Sequence, residues 1–171
     1  YNYEGQLNSL ALKAKEIIDK RTFSAIIALL DDPIDHYFDI GCGTGRYLCF
    51  INNMGVPKNH IYGIELNDSV TQRLRQDGFQ AFSSPLEELD DLPKNTFQLI
   101  TLFSVLEHVA SPRDLMIKAY EILAPGGLLV FEVPNAKSTN AKLFKDRYWG
   151  GYHTPRHWNL FSAETIESVA L

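Results

Sequence analysis

The chain has 171 residues, 45% of them hydrophobic, enough to bury one sizeable core, and no stretch nears the roughly 18 unbroken apolar residues of a membrane-spanning helix. Its 16 basic and 21 acidic residues leave a formal net charge of −5, which argues against a surface built to coat nucleic acid. Cys42 and Cys49 form neither a CxxC pair nor a disulfide framework, and with no signal-peptide pattern at the start a cytoplasmic setting is the expectation.

In chain order, Leu7, Leu10, Ala11, Ala14, Ile17 and Ile18 recur at helical spacing, and Phe23, Ile26, Ile27 and Leu30 extend the pattern. Residues 1–30 are therefore expected to be an N-terminal helical segment with a core-facing side, or a helix lidding a ligand pocket, divided in two at the polar run Asp19 to Thr22. After Pro33 strands and helices alternate. HYFDI (36–40) reads as a strand and GRYLCFINNM (45–54) as a helix stopped by Gly55. HIYGIEL (60–66) is the next strand. DSVTQRLRQD (68–77) is a helix capped by Asn67 or Asp68 and stopped by Gly78. FQAFS (79–83) and FQLITLFS (97–104) are the third and fourth strands. Ser111 before Pro112 marks a capped helix running to about Ala124, where Pro125-Gly126-Gly127 ends it. LLVFEV (128–133) is the fifth strand, and FSAETIESVAL opens a last helix.

Several of these strands are continuous apolar runs, the pattern of a parallel sheet covered on both faces. The predicted fold is α/β: a doubly wound, mostly parallel sheet in three α/β/α layers, read as a single domain over 1–171.

The run FDIGCGTGRY sets Gly41, Gly43 and Gly45 directly after the first strand, with Asp39 just before them. In a doubly wound sheet ligands lie beyond the carboxyl ends of the strands, and this loop lies there. Glycines let a ligand touch main chain, and the following helix turns free N–H groups toward it. Glu65, about twenty residues on, ends the second strand, where a carboxylate can hold both hydroxyls of a ribose. A dinucleotide fingerprint wants a small residue where Arg46 stands, and no G-K-[ST] follows as in a P-loop.

FDIGCGTGRYL, IYGIEL, SSPLEEL, FQLITLFSVLEHV and ILAPGGLLVFEVPN, in that order, resemble the motifs of the class I S-adenosylmethionine-dependent methyltransferases. The likeness is greatest to the branch with ubiquinone-pathway and small-molecule O-methyltransferases, and it covers 36–134. The resemblance implies S-adenosylmethionine as cofactor and S-adenosylhomocysteine as product. It implies that Gly41, Cys42, Gly43 and Gly45 form the cofactor loop, with main chain at the first three approaching the methionine part and Asp39 holding its amino group. Glu65 would then bind the ribose, Leu66 would lie against adenine, and Pro85 and Leu86 would flank the adenine edge. Phe103 and Ser104 would line the pocket near the transferring methyl. The resembled fold has seven strands and this sequence shows five, so the last strands are expected to lie past Leu171.

The implied partner is a small-molecule acceptor, with oxygen as the first expectation for its nucleophile. His108, His153 and His157 are candidate bases, and a structural role for His108 stands beside that reading. The stretch 141–162 gathers Phe144, Tyr148, Trp149, Tyr152, Trp158 and Phe161 with Lys142, Lys145, Arg147 and Arg156. It reads as an acceptor-site lid (135–162), with a packing cluster or an RNA contact as alternatives. No Asn-Pro-Pro-aromatic motif follows the fourth strand, and Ser104 stands where metal-dependent relatives carry an acid, so no metal is indicated. A nicotinamide-dependent oxidoreductase and a non-catalytic binding module are the competing readings.

Overall fold

A computed structural model of the chain describes residues 9–144, 149–153 and 155–170. Leu7, Lys145, Arg147 and Tyr148, together with the side chains of Leu10 and Ala11, lie outside the described residues. The chain divides into two compact units, residues 1–33 and 34–171.

The first unit carries one helix, α1 (Ser9–Ile27), unbroken by the polar run at 19–22. That run holds neither Gly nor Pro, so nothing there stops the helical hydrogen bonds, and Lys20 reaches back one turn to Glu16 at 2.8 Å. The helix ends at Ile27 rather than Leu30, and Ile17 and Ile18 on its expected apolar face are exposed.

The second unit holds a five-stranded parallel sheet in the order β3-β2-β1-β4-β5. Its strands are β1 (Tyr37–Ile40), β2 (Ile61–Ile64), β3 (Gln80–Phe82), β4 (Phe97–Phe103) and β5 (Leu123–Glu132). Between them run α2 (Arg46–Asn53), α3 (Asp68–Gln76) and α4 (Pro112–Ile122), followed by α5 (Thr139–Leu143) and α6 (Ala163–Ala170). Chain order reverses between β1 and β4, so the loops after these two strands diverge and leave a crevice.

Because side chains alternate along a strand, each face has its own set. Phe38, Ile40, Ile64, Ile100 and Leu102 pack with Leu115, Met116, Ala119 and Ile122 of α4. Tyr37, Asp39, Gly63 and Thr101 face the other way, where Leu48 of α2 lies over Gly63. Phe161, expected in a lid, belongs to the core of the first face.

One strand boundary differs from expectation. α4 stops at Ile122 and β5 begins at once, with Leu123 opposite Phe97 and Leu128 opposite Leu99. Pro125-Gly126-Gly127 therefore bulges inside the strand instead of preceding it, and Gly126 takes a φ of +76° that only glycine adopts easily.

Candidate functional site

A crevice of about 660 Å³ opens at the carboxyl ends of β1, β2 and β4. Ile40, Ile64 and Leu115 from the core line it together with Gly41, Glu65, Leu66, Pro85, Leu86, Ser104 and His108. Seven of the sequence-predicted site residues thus meet in one cavity. Val109, Ala110, Ser111, Asp114 and the exposed Trp158 also line it. Of these, sequence reasoning named Ser111 only as a helix cap and Trp158 only as part of a lid.

The glycine loop is held by both neighbouring strands and by α3. Gly41 lines the crevice with φ +79°, and a Cβ on it would come within 2.6 Å of Val105 Cγ2. The backbone N–H groups of Gly41 and Cys42 both donate to the Ile64 carbonyl at 2.8 Å. The Cys42 carbonyl in turn accepts from Gly45 N, so the N–H groups at 41 and 42 are engaged and a ligand there meets carbonyl oxygens. Gly45 stands away from the crevice. Its φ of +83° opens α2, and a Cβ there would run into Leu74 of α3. The left-handed backbone and the Leu74 contact each favour glycine at that position. Cys42 is buried under the loop against Gly63, and burial pushes its thiol well up, so it stays protonated. Gly43 has open space where a side chain would stand.

Asp39 is 2% exposed, a buried carboxyl two residues before Gly41. Parallel pairing puts Thr101 directly beside it, and Thr101 Oγ1 donates to Asp39 Oδ1 at 2.7 Å. Tyr37, on the same face, shares a 2.6 Å hydrogen bond with that hydroxyl. Asp39 Oδ2 has no partner. Burial raises the carboxyl to about 7, against the lowering pull of Thr101. Thr101 was missed by sequence reasoning because only strand register makes it a neighbour.

Glu65 is half-buried at the end of β2, and one of its oxygens accepts from Asn67 N at 2.9 Å. That bond turns the carboxylate along the crevice rim. Ser104 follows β4 with φ +57°, a conformation costly for a residue with a side chain, and its N–H is held by the Glu132 carbonyl at 3.0 Å. Phe103 stands edge-on to Tyr47, ring centroids 5.2 Å apart, beside the crevice rather than in it.

The three candidate histidines converge. His108 and His157 rings lie 4.7 Å apart, and His153 stands 5.4 Å from His157. Only His108 lines the crevice. The segment bearing the other two docks through main chain: Trp158 N and Asn159 N both donate to the Glu107 carbonyl, and Asn159 Nδ2 donates to the Val109 carbonyl at 2.7 Å.

A cofactor site can be tested against these residues. An unpartnered buried carboxylate oxygen on Asp39, open space at Gly43, and the Glu65 carboxylate on the rim suit a ligand with a cationic amino acid part and a ribose. The residues present fit S-adenosylmethionine.

Comparison with known proteins agrees. Residues 13–170 match the family described as a methyltransferase domain. The chain is 26% identical over 108 residues to a demethylmenaquinone methyltransferase of Symbiobacterium thermophilum, covering 57% of this chain and 42% of that protein. It is 26% identical over 109 residues to a ubiquinone biosynthesis O-methyltransferase of Hahella chejuensis, covering 60% and 44%. Among solved structures, a SAM-dependent methyltransferase from Archaeoglobus fulgidus shares the fold with a TM-score of 0.67 at 22% identity, over 90% of this chain and 66% of that one. The chain spans about half the length of the curated relatives it matches. It belongs to the methyltransferase-domain family and shares the fold of the S-adenosylmethionine-dependent methyltransferase it resembles among solved structures.

Proposed function

We propose that this chain holds S-adenosylmethionine in the crevice and transfers its methyl group to a small-molecule acceptor, with oxygen as the nucleophile. The observation that carries the reading is the convergence of Gly41, Glu65, Pro85, Leu86 and Ser104 on one cavity from four separate parts of the chain.

When bound, the cofactor supplies a methyl group already activated by a cationic sulfur. The protein's work is placement. Glu65, steadied by Asn67 N, presents its second oxygen to the ribose hydroxyls. Leu66 on one side and Pro85 with Leu86 on the other form an apolar slot for the base. The Gly41 carbonyl and Asp39 receive the amino group of the methionine part. Ser104 and His108 form the acceptor side, and Trp158 closes it, which gives the 149–161 stretch its lid role. Holding two reactants in near-attack geometry lowers a barrier by roughly 7–11 kcal/mol, so positioning of this kind supplies much of the rate. The oxygen acceptor draws support from the likeness to the ubiquinone biosynthesis O-methyltransferase.

Calorimetric titration with S-adenosylmethionine and, separately, NADH tests the reading. Binding of the first and not the second is expected, and Glu65→Ala should weaken it at least tenfold. Unchanged affinity in that variant removes the ribose assignment, and binding of NADH alone removes the methyl-transfer reading.

A further inference from the structure

We propose that Glu107, His108 and His157 form a binding site for a divalent transition-metal cation of the zinc class, joining the loop after β4 to the 149–159 segment. One ligand atom from each of the three lies within 4.8 Å of the others.

The hydrogen bonds around the rings decide which nitrogens keep a lone pair for a metal. His108 Nδ1 lies 2.8 Å from the Arg156 carbonyl, and His157 Nδ1 lies 2.7 Å from the Gly151 carbonyl. A carbonyl oxygen only accepts, so both Nδ1 atoms carry the proton and both Nε2 atoms keep the lone pair. Imidazole ligands of metals are commonly oriented by this backbone-carbonyl bond on the far nitrogen. The third donor is more telling. Glu107 is 1% exposed, and its Oε2 is buried with no hydrogen-bond partner. A buried carboxylate oxygen without a donor is strongly unfavourable unless a cation satisfies it.

Two imidazoles and one carboxylate are the protein ligands of open zinc sites, and the borderline-soft donor set disfavours magnesium and calcium. Tetrahedral ligands about 2.1 Å from zinc stand about 3.4 Å apart, so the three side chains draw slightly together on loading. His153, packed edge-on against His157, keeps that ring from swinging away. His108 lines the crevice, so an open coordination position of the cation would lie within reach of the acceptor side. On the methyl-transfer reading, that position takes the acceptor's oxygen and lowers its pKa, which selects hydroxyl-bearing acceptors. The cation site itself does not depend on that reading.

The full chain, stripped with chelator, is titrated with zinc sulfate against a chromophoric competitor, and bound metal is counted by mass spectrometry after dialysis. One zinc per chain is expected. Glu107→Gln and His157→Gln should each weaken it at least tenfold. His60→Gln, in the partly buried Asp35-His36-His60 cluster at the opposite end of the sheet, should leave it unchanged. Cobalt absorbance in the visible, present in the wild type and lost in His157→Gln, reports the site even where Glu107→Gln folds poorly. Absence of stoichiometric zinc, affinity that survives both substitutions, or loss in His60→Gln instead overturns the proposal. S-adenosylmethionine affinity measured on the same samples keeps the two failures apart: intact cofactor binding without zinc removes only the cation.

Discussion

Burial pushes the Asp39 carboxyl up to about 7, far above its ordinary value, and gives this one residue a pH signature. Between pH about 4 and about 7 the folded protein holds a proton there that the unfolded chain has released. Stability of the cofactor-free protein therefore falls as pH rises through that window and levels off above it. Asp39→Asn, which never ionises, should flatten this part of the profile in urea melts from pH 4 to 8. A variant profile that parallels the wild type would mean another group is responsible. Ionisation above 7 makes Asp39 the better partner for a cationic amino group, so cofactor affinity is expected to rise over the same range in the wild type only. At this scale Glu65 and Asp39 were legible, since their distance from the glycine loop is a matter of counting along the chain. The Thr101 hydroxyl beside Asp39 was not, because 62 residues separate them.

The elements were read from short-range chemistry, and there the reading was accurate. Asn67 caps α3 by accepting from Ser69 N at 3.1 Å and Val70 N at 3.4 Å, while Ser111 caps α4. Asn67→Ala should cost about 1 kcal/mol in chemical denaturation. A loss below a few tenths would mean the cap is dispensable. The element that departed furthest was β5. Proline followed by two glycines ends most helices, yet here α4 has already ended at Ile122 and the three residues bulge within a strand still paired to β4. Likewise a polar run did not break α1, since charged side chains on a solvent face leave the helix backbone intact. Composition suggests a boundary in both cases, but hydrogen bonding to a neighbouring strand or along a helix sets it.

In the second unit the strand order gives β1, β2 and β4 a partner on both sides, while β3 pairs only with β2 among the described residues. Local opening costs least where one side of a strand lacks a partner. Amide hydrogen exchange should therefore be slowest at Phe38, Asp39, Leu99 and Ile100, and faster along β3. Equal protection across all five strands would contradict this ranking. The sequence alone determined the α/β class, the parallel sheet, the glycine loop and the place of Glu65 at the end of the second strand. Each of these is encoded by periodicity, turn residues or spacing within reach of a few turns of chain. Tertiary structure decided that Gly45 meets Leu74, that Thr101 answers Asp39, and that Glu107 and His108 meet His157 from a distant segment. Apolar burial drives the segments together without specifying partners, so such meetings exist only once strand register and loop docking are settled.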